Sequence, residues 1–275
     1  MIGWTAAMSP IQSLGLVLAG LAIGALGTLI GAGGGFILVP LLAILYPRER
    51  AAILTATSLA VACANATSGS FAYARRRRVD FRSGLIFALA GLPGAILGAF
   101  ATRSLDRAVF DPLLGTVLIL GAGFILFRAQ VAPGPASGTG TRRLVERDGT
   151  VHAYTPQLGL GIVLSAIVGF VSSLLGIGGG IIHVPIMVYA LGFPTHIATA
   201  TSHFVLALLA LAGVLVHGFT GNLTPGLART VPLVVGVLAG APFGAWLSSR
   251  LQGRWILRSL AIALASVGVR LLLFR

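Results

Sequence analysis

Two short stretches decide the fold of this chain: GAGGGFILVP, from Gly31 to Pro40, and GIGGGIIHVP, from Gly176 to Pro185. Each places three consecutive glycines directly before an apolar segment that contains the final proline. Consecutive glycines leave the backbone without Cβ cover and permit positive φ angles. The repeated motif therefore predicts the same unusual backbone turn at two places in the chain.

The sequence around the two motifs repeats in the same order as well. The matching pieces are Thr57-Ser58 with Thr201-Ser202, and Leu89-Ala90-Gly91 with Pro93 against Leu238-Ala239-Gly240 with Pro242. Internal repeats with short, glycine-interrupted segments at equivalent positions are typical of transporters that bind their substrate at those segments. We therefore interpret the chain as two related halves.

The composition excludes a water-soluble enzyme. Of 275 residues, 56% are hydrophobic and 9% are charged, and the mean hydropathy is +0.98. A soluble domain carries roughly a quarter charged residues. One helical bilayer crossing needs about 20 apolar residues, so the chain has room for many crossings.

Long apolar runs alternate with short polar gaps. Most of the long runs are long enough, or nearly so, to cross a bilayer as helices; the eight runs are 14–31, 51–74, 84–102, 112–127, 158–176, 196–219, 230–247 and 255–274. Two further runs, 36–46 and 181–191, follow the glycine motifs. At about 1.5 Å per residue these two reach only half way across.

The predicted fold is an all-α polytopic integral membrane protein with a two-fold internal repeat. It has about eight transmembrane helices and two half-length helices, re-entrant or short, after the GxGGG turns. The division is an N-terminal tail at 1–13, transmembrane repeat 1 at 14–128, a polar linker at 129–157 and transmembrane repeat 2 at 158–275. Its prolines, glycines and charges predict that the linker is exposed.

The basic residues are interpreted as topology signals. All 19 of them are Arg, against 6 acidic residues, and they lie in gaps between apolar runs rather than on a nucleic-acid-binding face. If the half-length helices re-enter, the two halves are parallel, and if they cross, the halves are inverted. Both arrangements put equal numbers of arginines inside, so the positive-inside rule does not choose between them. No nucleic-acid partner is expected, and the oligomeric state is left open.

The glycine turns are the first candidate for a binding site. Gly33, Gly34 and Gly35, and likewise Gly178, Gly179 and Gly180, would leave unpaired N–H groups and the positive dipole end of a half-helix near the middle of the protein. Such a helix start attracts anions. The alternative is that these glycines only allow close helix packing.

Polar residues at membrane depth are the second candidate. Thr57, Ser58, Thr201 and Ser202 could reach a central ligand, although a hydroxyl can also bond the carbonyl one turn back. His183 and His203 could donate to an anion or carry a proton. A purely structural hydrogen bond is the alternative for both histidines.

The sequence lacks the residues that several other functions would need. The six acids lie in loops or at segment ends, whereas cation pumps bury a carboxylate. The sequence has no HExxH, GxSxG or Walker motif, and its single cysteine makes no disulfide or Cys-based metal site. We therefore expect no enzyme, no metal and no cofactor. A passive anion channel using the same helix ends is the alternative to a carrier.

The two glycine motifs, the second extended as GIGGGIIHVPIMVYALGFPTHIATATSHF to Phe204, resemble the TauE/SafE sulfite exporters, also called the TSUP family. The resemblance covers the chain apart from the tail and the linker. It implies a multi-pass protein of the bacterial inner membrane that moves small inorganic or organosulfur anions such as sulfite, thiosulfate or organosulfonates, with membrane lipid around it. The resemblance leads us to expect an apolar residue at the positions of His183 and His203 in many relatives, so these histidines are expected to mark a subgroup.

Overall fold

The structure, a computed structural model, describes residues 9–128, 141–250 and 253–273. These ranges fold into ten α-helices and one β-hairpin. The helices are α1 (Pro10–Ile30), α2 (Gly35–Leu45), α3 (Ala51–Arg75), α4 (Phe81–Ala101), α5 (Arg107–Arg128), α6 (Leu158–Leu175), α7 (Gly180–Tyr189), α8 (Thr195–Phe219), α9 (Leu227–Ser248) and α10 (Gly253–Leu273). The strands are β1 (Arg142–Val145) and β2 (Val151–Tyr154).

The helices have the dimensions of a multi-pass membrane protein. By length and hydropathy, six helices within the described ranges can cross a membrane: α1, α3, α4, α6, α8 and α9. Large apolar side chains on their outer faces, such as Leu97 and Val163, remain more than half exposed. The count of eight crossings stays a prediction. The half-length helices are confirmed, because α2 has 11 residues and α7 has 10.

Glycine stripes let α1 pack against α9 at backbone distance. A Cβ atom at Gly24 would lie 2.7 Å from the Cα of Val237, and Gly20 meets Leu233 in the same way. On the facing helix, Gly240 abuts Leu21. Residue numbers rise together on both helices, so α1 and α9 run parallel. These GxxxG spacings therefore serve packing.

The same arrangement joins α4 to α6. A Cβ at Gly94 would collide with the carbonyl of Ala166, and one at Gly98 with the carbonyl of Phe170. Again the numbers rise together, so the two helices are parallel. Each of these close pairs combines one helix from the first half of the chain with one from the second half.

Helices α3 and α8 cross at the centre in opposite directions. Gly69, late in α3, lies against His203, early in α8, while Gly213, late in α8, lies against Leu59. Most of each helix is buried, with 72% of the most apolar stretch of α3 and 61% of that of α8 inside the protein. These two helices thus run antiparallel through the core.

The arginines separate into two groups at opposite ends of the helices. Arg76, Arg78 and Arg147 share a surface cleft with Ser249, at the end of α9. At the other end, Arg229 pairs with Glu49 at 2.7 Å. The start and the end of α9 therefore lie at opposite ends of the molecule, with Arg250 beside the arginine run that follows α3.

The interval predicted as an exposed linker contains a folded hairpin. Strands β1 and β2 pair antiparallel, with Arg142 opposite Tyr154 and Val145 opposite Val151. The turn between them closes through a hydrogen bond from the Glu146 N–H to the Thr150 carbonyl (2.9 Å). Strands of four residues with many charges have no clear apolar alternation, which explains why composition alone indicated a linker. Residues 129–140 of that interval lie outside the described ranges.

Buried Glu146 attaches the hairpin to the loop between α3 and α4. Its carboxylate accepts a hydrogen bond from the Arg78 guanidinium and lies 2.8 Å from Nε2 of His152. The Arg147 N–H also donates to the carbonyl of Arg76 (3.0 Å). Because Glu146 and Arg78 are each about 95% buried, removing either charge would leave the other largely buried without its counter-charge.

Asp80 provides a second attachment. Its carboxylate caps α4 by accepting from the Ser83 N–H (3.0 Å), and it also accepts from Arg142 at 2.8 Å and from the Tyr154 hydroxyl at 3.0 Å. Burial and the adjacent Asp80 charge raise the pKa of Tyr154, so the phenol remains a donor. Two buried carboxylates thus fix the hairpin over this end of the helices.

Replacing Glu146 with Gln is expected to destabilise the protein by about 3 kcal/mol, because the buried Arg78 loses its counter-charge. The measurement is the free energy of unfolding in detergent, or the melting temperature as its proxy. Asp148→Asn in the same hairpin is the control, since Asp148 is exposed. Equal stability of Glu146→Gln and wild type would contradict the role given to this ion pair.

Candidate functional site

The two glycine turns adopt the positive φ angles that their sequence predicts. Gly31 ends α1 in the left-handed conformation, and Gly33 and Gly34 follow with φ angles of 71° and 80°. In the second turn, Gly178 and Gly179 have φ angles of 81° and 83°. Residues with a Cβ rarely adopt these angles, so glycine is required in both turns.

The two turns pack directly against each other. A Cβ at Gly35 would lie 2.8 Å from the carbonyl oxygens of both Gly176 and Ile177. Reciprocally, a Cβ at Gly180 would collide with the carbonyl oxygen of Gly31. The start of each half-helix therefore faces the end of the long helix that precedes the other half-helix. We call this buried contact between turns 31–35 and 176–180 the turn junction.

Neither half-helix carries a side-chain cap at its start. The first N–H groups of a helix have no carbonyl partner in their own helix and carry the positive end of its dipole. At the turn junction, the opposite turn supplies carbonyls in their vicinity. The junction thus brings the donor groups of two helix starts close to the carbonyl acceptors of the opposite turns.

Two serines line the turn junction from opposite helices. The Ser58 hydroxyl, on α3, donates to the Gly176 carbonyl (2.7 Å) and lies 3.4 Å from the Gly35 carbonyl. The Ser202 hydroxyl, on α8, lies 3.5 Å from the Gly31 carbonyl. Both side chains are completely buried. The structure therefore brings both predicted serines to the turns.

Thr57 and Thr201 lie elsewhere, contrary to their expected place beside the serines. The Thr201 hydroxyl accepts from the Asp80 N–H (3.0 Å) at the start of α4. The Thr57 hydroxyl faces Gly226, just before α9. A step of one residue rotates a helical side chain by about 100°, because a turn has 3.6 residues. Adjacent threonine and serine therefore point to different neighbours.

His183 lies in α7, close to the second turn. Its Nε2 is 3.1 Å from the Ser165 hydroxyl, and its ring packs edge-to-face against Phe87. A small void separates it from Ser202 and the 178–180 turn. The void does not admit a water molecule, so this side of the junction is closed in the structure.

His203 belongs to a polar cluster on the other side of the junction, which the sequence did not reveal. Its Nε2 lies 3.2 Å from the Thr28 hydroxyl, which donates to Oδ1 of Asn65 (3.2 Å). The Tyr73 hydroxyl donates to the Thr28 carbonyl (2.7 Å), and the Tyr73 ring packs edge-to-face against the His203 ring. Asn65 is fully buried, and within the described residues its Nδ2 has no partner. A buried donor without a partner is costly, which makes this amide a candidate ligand group.

Two other hydroxyls in the spans make only a hydrogen bond within their own helix. Thr67 and Thr199 each bond the carbonyl four residues earlier, at 2.8 Å. In the parts of the chain that the structure describes, no group of three His, Cys, Asp or Glu side chains is arranged to hold a metal ion. The site therefore offers backbone and side-chain donors, two serine hydroxyls and two histidines.

Gly180→Ala is expected to destabilise the protein by about 1–3 kcal/mol, because its methyl group would overlap the opposite turn. Unfolding in detergent provides the measurement. Gly159→Ala is the matched control: nothing lies within 4 Å of that Cβ, and alanine favours helix. If both variants kept wild-type stability, the two turns would not be in close contact.

Comparison with known sequences places the chain in a family. The family model described as sulfite exporter TauE/SafE matches residues 16–271. The probable membrane transporter protein YunE of Bacillus subtilis (strain 168) is 32% identical over 264 residues, covering 94% of this chain and 96% of the relative. A probable membrane transporter protein of Methanocaldococcus jannaschii is 26% identical, covering 75% of this chain and 72% of its own.

A probable membrane transporter protein of Xylella fastidiosa (strain Temecula1) is 28% identical, covering 88% of this chain and 85% of its own. No solved structure matches the chain significantly. These relatives are named as membrane transporters rather than enzymes. Their names agree with the structure, in which several apolar helices are those of a multi-pass membrane protein. The chain belongs to the sulfite exporter TauE/SafE family of membrane transporters.

Proposed function

We propose that this protein is a secondary transporter of small anions, with sulfite, thiosulfate and organosulfonates as the first substrates to test. The observation that carries the proposal is the turn junction, where two uncapped half-helix starts meet beside Ser58 and Ser202. The name of the family supports a sulfur oxyanion. The proposed ligands are Gly33, Gly34, Gly35, Gly178, Gly179 and Gly180 through their backbone, with Ser58, Ser202, His183 and His203 around them.

The chemistry of these groups favours an anion over a cation. Each helix start is equivalent to about half a positive charge, and two of them meet at the junction. The hydroxyl groups of the serines can turn to donate to a bound oxyanion. Buried carboxylates, which a cation site needs, lie instead at the ends of the helices, as Asp80 and Glu146 do. An anion would replace the carbonyls that now face the helix starts.

Transport requires the turn junction to open alternately to either side. We propose that the chain consists of two inverted repeats, supported by the antiparallel crossing of α3 and α8 and by the reciprocal contacts of the two turns. The close pairs α1 with α9 and α4 with α6 are natural rigid bodies. Each takes one helix from each half, so the rocking units are proposed to be these pairs rather than the two halves.

The arginine distribution supports an orientation. The run Arg75–Arg78, the hairpin and Arg250 share one end, and in the inverted arrangement this end holds most of the arginines. The positive-inside rule makes it the cytoplasmic end. We therefore propose a location in the cytoplasmic membrane, the inner membrane of a Gram-negative cell, with the hairpin facing the cytoplasm.

In proteoliposomes, purified protein is expected to catalyse uptake and counterflow of labelled sulfite or thiosulfate. Ser58→Ala removes a hydroxyl worth about 1 kcal/mol and should slow counterflow roughly five- to tenfold. Thr67→Ala, on the same helix, is the control, because its hydroxyl bonds only its own helix and should leave the flux unchanged.

Three results would contradict this proposal. Flux that dissipates a gradient without counterflow or accumulation would identify a passive channel. Equal slowing by Ser58→Ala and Thr67→Ala would remove the site from the turn junction. Absence of flux with sulfite, thiosulfate and an organosulfonate would contradict the proposed substrate class.

His183→Gln tests whether a histidine passes a proton during transport. Gln can retain a hydrogen bond to Ser165 but cannot take up a proton. We expect wild-type uptake to respond to an imposed pH gradient, and His183→Gln to keep counterflow while losing that response. His203→Gln is measured in parallel to assign the role. If the variant that carries both His183→Gln and His203→Gln kept the wild-type response to the pH gradient, neither histidine would pass the proton.

A further inference from the structure

A second cleft lies at the surface where α3 and α9 end, away from the turn junction. It has a volume of about 280 Å³. Its basic side is formed by Arg75 and Arg76, at the end of α3, and by Arg147 from the hairpin turn. Its apolar side is formed by Phe71 and Pro242. The cleft therefore joins the first half, the hairpin and the second half of the chain.

The three arginines of the cleft carry positive charge that the protein does not neutralise. Within the described residues none of the three forms an ion pair, and no carboxylate lines the cleft. The neighbouring Glu146 is already shared between Arg78 and His152. Burial and the nearby Arg78 lower the pKa of Arg76, as expected where several arginines lie close together.

The cleft spans the boundary between apolar and aqueous surroundings. Phe71 lies one helical turn before Arg75, about 6 Å deeper along α3, and is 61% exposed. The Arg75 guanidinium stacks over the Phe71 ring at 4.5 Å. Just after α9, Arg250 stacks over the ring of Trp246, in the last turn of that helix, at 4.3 Å. Aromatic rings beside arginines at the ends of spanning helices are typical of the membrane interface.

We propose that this cleft binds the phosphodiester headgroup of an anionic membrane lipid. Arg75, Arg76 and Arg147 bind the phosphate, and the glycerol and first acyl carbons lie against Phe71 and Pro242. A free phosphate would leave the apolar side uncovered, which is why the lipid is the assigned source. Because Arg147 comes from the hairpin, the bound lipid fastens the hairpin to α3 and α9.

The test is lipid binding to the purified full-length protein in nanodiscs or detergent. Phosphatidylglycerol is titrated against phosphatidylcholine and measured by native mass spectrometry. Each arginine near a lipid surface contributes about 1 kcal/mol, or roughly fivefold in affinity. Arg75→Gln and Arg147→Gln are therefore expected to weaken phosphatidylglycerol binding about fivefold each. Arg77→Gln is the matched control, since Arg77 lies in the same loop but does not line the cleft.

Three outcomes would overturn the proposal. Equal weakening by Arg77→Gln would indicate a diffuse surface charge instead of a cleft. Equal binding of phosphatidylcholine would exclude recognition of the headgroup charge. Displacement of phosphatidylglycerol by inorganic phosphate at equal concentration would assign the cleft to a soluble anion. Circular dichroism of each variant confirms that the fold is retained during the comparison.

Discussion

The contact between the two glycine turns is the constraint on which the rest of the structure depends. For the turns to meet, α1 and α6 must end, and α2 and α7 must begin, inside the protein rather than at its surface. Irregular backbone is tolerated at membrane depth only where protein or a wet cavity surrounds it. The long helices α3 and α8 provide that surrounding, and each contributes the serine that reaches a turn carbonyl.

The close approach of the remaining helices also depends on glycine, which has no side chain to keep the backbones apart. Lipid-exposed helices gain little from the hydrophobic effect on association, so van der Waals packing between backbones has to hold them together. The glycines of α1, α4 and α9 permit this packing with a partner from the other half. Charge pairs are kept to the ends, where Arg78 with Glu146 and Arg229 with Glu49 connect loops to helices.

Much of the fold was predictable because membrane helices are defined by long apolar runs and glycine turns by a rare backbone angle. The half-length helices and the contact of Ser58 and Ser202 with the turns followed from these signals. The hairpin did not, because its stability comes from buried ion pairs with a distant loop. The contact between Thr28, Asn65 and His203 was also not predictable from the sequence, since the three residues lie on three separate helices. Thr57 and Thr201 have other neighbours than the adjacent serines, which the repeat could not indicate because it does not specify which way a side chain points.

Thr57 and Thr201, which match in the repeated sequence, have different surroundings at the two ends of the molecule. Thr201 is hydrogen-bonded to the start of α4, below the hairpin and its buried ion pairs. Its counterpart Thr57 is buried against Gly226 and, in the described part of the chain, its hydroxyl lacks a partner. The Thr57 end is also held by a polar contact, the buried ion pair of Arg229 with Glu49 at 2.7 Å. Matching positions in the sequence therefore have different partners at the two ends, and any rearrangement of the helices must break a different set of contacts at each end.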